Sequence, residues 1–382
     1  MTDLERILPL WRELESAGAD YVLTTVVGVE GPSYRKPGAL MLITADGRRA
    51  GTVSGGCLEA EVASRAWWLT KDGPTVQRYS TAADDGDMPY GSGCGGAVIL
   101  LLERSTTARV LLSAQDRAFS SRTSLAVATI LEGPHTGVRA VAGAASSPAM
   151  DEDLQGLANL AFRRGKSMES TVDLDGMPTR VWCDFRPART GLWIFGAGDD
   201  AQPLVRLAKE LGWFVALADG RSHLATLGRF PLADETRVLA ITKLTSQSAH
   251  LLGPIQPHDV AVLMSHSYEQ DFRVLLALLA GSVPVRYLGV LGPQRRTREL
   301  LAEAATLAGV AQDRIPEQVE DWLARLHAPT GLDLGAESSE SVALSVLAEI
   351  QKVLTSSTAL PLREVRAAQA VPEATPTTMP TV

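Results

Sequence analysis

The stretch GLWIFGAGDDAQPLVRLAKELG (191–212) runs directly from an apolar strand pattern through a glycine turn into an amphipathic helix pattern. Within it, Gly196-Ala197-Gly198-Asp199-Asp200-Ala201 fits G-x-G-x-x-[GA] in the strand-to-helix context that motif needs. Gly196 and Gly198 suit a tight turn whose backbone approaches a pyrophosphate at the helix N-terminus. Asp219 follows at the end of the next predicted strand, where an acid would bind a ribose hydroxyl. Asp199 and Asp200 pull the other way. Two carboxylates in the first helical turn satisfy the helix dipole themselves and repel an incoming phosphate. A nicotinamide dinucleotide, NAD(P), and a scaffold that binds no dinucleotide therefore both stay open.

Working outward from that turn, WFVALADGR, VLAIT, DVAVLMSH and VRYLGVLGP read as four further strands. QDFRVLLALLAG, TRELLAEAATLAG and ESSESVALSVLAEIQKVL read as helices. Strands alternating with helices predict an α/β, Rossmann-like, doubly wound parallel sheet over residues 189–355. His266 follows a strand's carboxyl end, beside the place where such sheets bind ligands. Arg295 and Arg296 open a helix after the fifth strand, where guanidiniums and helix amides suit a phosphate. Residues 356–382, rich in Pro, Thr and Ala, are expected to be a flexible tail.

The first half reads as a mixed α+β domain over 1–188. An amphipathic helix opens it, and YVLTTVVGV (21–29) is a β-branched strand. Two strands then meet across Asp46-Gly47. A helix starts behind Gly55-Gly56-Cys57, a strand is predicted at 76–80, and a glycine-rich loop leads into AVILLLER (97–104). From 106 to 188 the pattern weakens to strands near 125–131 and 178–185 around a helix at 151–165, with a linker at 186–191.

Composition narrows the function. Of 382 residues 45% are hydrophobic and 21% charged, and the net charge of −8 argues against broad nucleic-acid binding. No apolar run reaches the ~18–20 residues that cross a bilayer. Three cysteines do not suggest a disulfide framework, and a cytoplasmic location is the simplest expectation.

Cys57 follows two glycines at a helix start, where thiols become more acidic. Cys94 sits inside Gly91-Ser92-Gly93-Cys94-Gly95-Gly96, a loop suited to close backbone approach to a ligand. Thiolates suit molybdenum, copper(I), zinc or a sulfur-transfer step, and the alternative is two small residues packed in tight turns. The loop GPSYRKPG (31–38) adds Arg35 and Lys36, either holding an anion or simply exposed.

These motifs, in order, resemble the XdhC/CoxI family. They are GPSYRKPGA (31–39), AGTVSGGCLEAEV (50–62), GSGCGG (91–96), IFGAG (194–198), ADGR (218–221), MSHSYEQD (264–271), YLGVLGPQRR (287–296) and HAPTGLDLGAESSESVALSVLAEI (327–350). The chain departs from the family pattern at Asp199, where a histidine is usual, and at Pro293, where a serine is usual. The resemblance implies an accessory protein of molybdenum hydroxylases such as xanthine dehydrogenase and carbon monoxide dehydrogenase. It would bind molybdenum cofactor (molybdopterin), protect it during sulfuration and insert it into the apo hydroxylase, with a cysteine desulfurase as second partner. Cys57 and Cys94 would be its soft ligands, and Arg35, Lys36, Arg295 and Arg296 would serve its phosphate. A homodimer is expected, with no catalytic residue. An NAD(P)-dependent oxidoreductase and a non-catalytic scaffold of a hydroxylase complex are the alternatives.

Overall fold

The computed structural model describes residues 2–56, 58–80, 96–143, 151–174 and 176–369. The chain divides into two compact units, Met1–Gly191 with Lys209–Phe214, and Leu192–Ala208 with Val215–Val382. In the first unit, α1 (Asp3–Ser16) opens on a capping box in which the Thr2 backbone N–H donates to Glu5 Oε2 at 2.9 Å. There follow β1 (Tyr21–Glu30), β2 (Leu40–Thr44), β3 (Arg49–Gly51), α2 (Glu59–Leu69), β4 (Thr75–Ser80) and β5 (Ala97–Arg104). Then come α3 (Ser105–Ser121), β6 (Leu125–Ile130), β7 (Arg139–Val141), α4 (Asp151–Arg164), β8 (Met168–Leu174) and β9 (Met177–Arg186).

Two antiparallel sheets result, ordered β3-β2-β1-β5-β4 and β7-β6-β9-β8. The first has helices on both faces because its central strand is apolar on both. Tyr21 and Leu23 of β1 pack with Ile7, Leu8 and Trp11 of α1 and Leu111 and Leu112 of α3. Val22 and Val26 face Val62 and Ala66 of α2. In the second sheet, Ala126, Ala128 and Val181 pack on Leu154, Ala158 and Ala161 of α4. Cys183 lies in that core as a free thiol, and burial pushes its pKa up to about 11. Between β5 and β7, Glu103 and Arg139 form an ion pair buried at both ends.

Several of these elements differ from the sequence reading. Helix α3 and strands β7 and β8 fall in the stretch where the pattern weakens. Serines and threonines blur both ends of α3, and only its buried Ala108, Leu111, Leu112 and Gln115 reveal the helical stripe.

The second unit continues with β10 (Gly191–Phe195), α5 (Ala201–Glu210), β11 (Phe214–Asp219), β12 (Glu235–Val238), β13 (Val260–Leu263), α6 (Tyr268–Leu279), β14 (Tyr287–Val290) and α7 (Gln294–Leu307). It ends with α8 (Ile315–Leu323), α9 (Ser339–Thr355) and α10 (Leu362–Gln369). The parallel sheet runs β12-β11-β10-β13-β14, so strand order reverses between β10 and β13. Ligand crevices of open α/β sheets form at such a switch point.

The third strand lies earlier than VLAIT. Residues 235–238 pair with β11, while Ile241–Lys243 form a 3₁₀ turn. A partly exposed edge strand rich in Thr and Arg carries less apolar signal than the segment behind it. Helix α10 interrupts the stretch expected to be a flexible tail, whose residues 370–382 lie outside the described residues. Among the described residues no helix is long and apolar enough to cross a membrane.

Candidate functional site

Strand β3 ends at Gly51, whose φ of +81° and whose spacing to β2 exclude a side chain. A Cβ there would collide with the Leu40 carbonyl oxygen. The chain then makes the turn 52–56 and enters α2 at Glu59, which organises everything before it. Its Oε1 accepts from the backbone N–H groups of Val53 (3.1 Å), Ser54 (2.9 Å) and Gly55 (3.1 Å). Its Oε2 accepts from Gly56 N–H at 2.9 Å and from the Ser54 hydroxyl at 2.6 Å, and the Thr52 hydroxyl donates to Oε1. Ser54 Oγ in turn accepts from Leu58 N–H at 3.0 Å. Burial alone would raise the Glu59 pKa, but the Ser54 and Thr52 bonds outweigh it and carry it down to about 2.

The backbone amides of residues 53–56 are therefore committed to the Glu59 carboxylate, and that of Leu58 to the Ser54 hydroxyl. Cys57 itself lies outside the described residues, as do Cys94, Gly93 and Gly95. The signal for Glu59 was present in the sequence. An acid three residues beyond Gly56 is the spacing at which a side chain in the first helical turn reaches back to a preceding amide.

A cavity of about 1020 Å³ opens against this turn, lined by Gly55, Gly56 and Glu59 together with Arg6, Tyr34, Arg35 and Arg49. Arg35 is anchored rather than free. Its Nε donates to the Thr52 carbonyl at 3.1 Å, and its guanidinium pairs with Asp3. Lys36 is exposed and does not line the cavity. Arg49, exposed at the start of β3, makes no ion pair among the described residues. Tyr34 is 74% exposed and lies against Gly55, where a Cβ would meet its ring at 2.6 Å. The sequence reading marked Arg35 and the two glycines but missed Arg6, Tyr34, Arg49 and Glu59. Arg49 escapes because only the pairing of β3 with β2 decides which way a short strand faces.

In the second unit the glycine turn also holds an internal acid. Asp219 is fully buried, and its Oδ2 accepts from Ala197 N–H at 2.8 Å. Arg221 fills the rest, through its backbone N–H (2.8 Å) and Nε (2.9 Å) on Oδ1 and Nη2 (2.8 Å) on Oδ2. Four donors on two oxygens hold the carboxylate below its ordinary range against the opposing effect of burial. Gly196 lies tight on the exit of β13, since a Cβ would stand 2.8 Å from Ser265 N. At Gly198 a Cβ would run into Asp200 Oδ1. The Asp200 carboxylate thus lies over Gly198, and its Oδ1 is buried without a hydrogen-bond partner among the described residues.

At the switch point the structure brings His266 and Arg296 to one cavity of about 260 Å³, with Met264, Ser265, Leu291 and Gly292. His266 is 76% exposed, with Nε2 3.6 Å from Asp200 Oδ2. Arg296 donates to Asp271 at 2.7 Å, and Ser265 Oγ donates to the other oxygen of Asp271 at 2.5 Å. Burial nonetheless raises the Asp271 pKa. Arg295 parts from its neighbour and stands 90% exposed beside Glu299. A second cavity of about 240 Å³ joins Asp200 to Val262, Met264 and the N-terminus of α9.

Comparisons with known proteins bear on the family and the fold. A model described as the XdhC Rossmann domain matches residues 192–350, and one described as the XdhC and CoxI family matches 14–80. A protein of Bacillus subtilis (strain 168), named as a probable xanthine dehydrogenase component, is 30% identical over 341 residues, covering 86% of this chain and 92% of its own. The molybdenum cofactor insertion chaperone PaoD of Escherichia coli (strain K12) is 27% identical over 363 residues, covering 92% and 90%. A crystal structure described as a xanthine dehydrogenase from Bacillus halodurans is 26% identical, with a TM-score of 0.67 over 96% of this chain and 100% of the other.

Proposed function

The chain belongs to the XdhC and CoxI family, and on that premise we propose that it is a maturation factor that binds molybdenum cofactor as cargo. It delivers the cargo to an apo molybdenum hydroxylase of the xanthine dehydrogenase kind, protects it while a cysteine desulfurase installs the terminal sulfur, and has no turnover of its own. We assign the work to a cytoplasmic homodimer, with 1–188 and 189–355 as its functional halves. Cys57 and Cys94 supply sulfur ligands.

One observation carries this reading: the turn 52–56 is closed by Glu59 and opens on the cavity of about 1020 Å³ that holds Arg6, Arg35 and Arg49. The cargo has a soft metal end, a flat pterin and an anionic phosphate. A thiol position beside a pre-formed turn suits the metal, the exposed ring of Tyr34 suits the pterin, and guanidiniums suit the phosphate. Because Glu59 already satisfies the turn's amides, the ligand does not have to order that loop on arrival. The nicotinamide alternative has less support, since Asp219 is saturated by Arg221 and Ala197 while Asp200 covers Gly198.

The test is to purify the chain from cells that make the cofactor and to measure molybdenum and pterin per chain. Wild type is expected to carry both and Cys57→Ala to lose the metal. Wild type carrying neither refutes the proposal.

A further inference from the structure

A second cavity of the first unit has a different character. It measures about 460 Å³ and is lined by apolar groups that include Leu4, Ala118, Phe119, Leu125 and Pro187. Its cations are already matched. Arg186 donates to Asp184 at 2.8 Å, and Arg189 pairs with Glu5 at 2.9 Å while its guanidinium lies 4.5 Å from the centre of the Phe119 ring. Into this wall α3 turns Gln115, which is 1% exposed. Neither its Nε2 nor its Oε1 has a hydrogen-bond partner among the described residues.

Burying an amide with both ends unpaired is costly, and native interiors rarely do so. A hydrophobic residue of the same length would fill that place on α3 without the cost. A carboxamide presents a donor and an acceptor side by side in one plane, the arrangement by which glutamine reads the edge of a base. Largely apolar walls, cations and an Asp3 carboxylate already paired, and one unpartnered carboxamide edge define the ligand.

We propose that this cavity binds a neutral, planar heterocycle bearing an adjacent N–H and C=O, a lactam edge, and that Gln115 reads that edge. The proposal is independent of how the cargo's metal is held. Two sources carry the chemistry, a free heterocycle and the pterin ring of the cargo, which would then lie here and not on Tyr34.

Binding of quinazolin-4(3H)-one, a flat lactam, is measured by calorimetry on the full chain beside quinazoline, the same bicycle without the lactam edge. Wild type is expected to bind the lactam saturably. Gln115→Met should weaken it about tenfold, the effect of one unmade buried polar contact, and leave quinazoline within about threefold, which shows the cavity intact. Absence of saturable lactam binding, equal binding by Gln115→Met, or a crystal showing Gln115 bonded only to ordered water overturns the proposal. Pterin content of Gln115→Met separates the sources: loss assigns the cavity to the cargo's ring, and retention assigns it to a free heterocycle. Molybdenum loss in Cys57→Ala is a separate readout, so either proposal can fail alone.

Discussion

The turn before α2 and the turn before α5 look alike in sequence, each with glycines that lead a strand into a helix, and each proves to hold an acid of its own chain. In the first, Glu59 draws four backbone amides and two hydroxyls onto one carboxylate, and an arginine-bearing cavity lies beyond it. In the second, Asp219 binds one amide of the turn and is neutralised by Arg221, while Asp200 lies over Gly198. The difference lies in what remains outside. The first turn has spent its amides on its own shape, and the cavity beyond it is lined by Arg6, Arg35 and Arg49. The second has the Asp200 carboxylate lying against Gly198. Glycines before a helix therefore mark a place where backbone amides converge, and the nearest acid decides whether an outside anion is wanted there.

Removing Glu59 gives the largest effect. Glu59→Ala strands a whole set of donors and should cost about 4 kcal/mol in urea unfolding. The same carboxylate gives the fold a pH dependence. With a folded pKa of about 2 against an unfolded 4.5, its contribution of about 3 kcal/mol is complete above pH ~5 and lost as pH falls toward 2. Glu59→Gln should flatten that part of the acid unfolding curve. An unchanged curve would mean the two turns do not differ in the way described.

Asp219→Asn comes next, at about 2 kcal/mol, because it leaves Arg221 without its counter-charge. The variant should keep wild-type pterin content. A thermal shift with NAD in wild type would break the contrast by showing the second turn open to a dinucleotide. Gly55→Ala forces a side chain into a φ of +99° and against Tyr34, for about 1–2 kcal/mol and a lower pterin content. The smallest change in stability belongs to Arg49→Ala, below about 0.5 kcal/mol by thermal melt. Its pterin content should nevertheless fall, and a value equal to wild type would remove Arg49 from the site.

Legibility followed the range of the interactions. Strands β10, β11, β13 and β14 were readable because a parallel strand covered on both faces is a continuous apolar run. Strand β12 was misplaced because its Glu, Thr and Arg are only partly buried and make no such run. Helix α3 was missed although four of its buried residues keep helical spacing, since its ends are Ser- and Thr-rich. Gly55, Gly56 and Arg35, marked from composition and spacing, line one cavity. Lys36 was paired with Arg35 by adjacency, and the structure separates them, as it separates Arg295 from Arg296.

From the sequence alone came the parallel α/β half, the mixed first half and the family, because each rests on local periodicity or on the order of short motifs. The tertiary structure decided which charges meet. Asp219 reaches Ala197 across a turn that a linear pattern does not close, whereas the spacing of Glu59 to Gly56 is local. Arg49 joins Arg35 because β3 pairs with β2, and Gln115 faces a cavity because α3 packs on one face of a sheet. Electrostatic and hydrogen-bond partners are fixed by distances of about 3 Å between atoms far apart in the chain, and those distances exist only once the layers have packed.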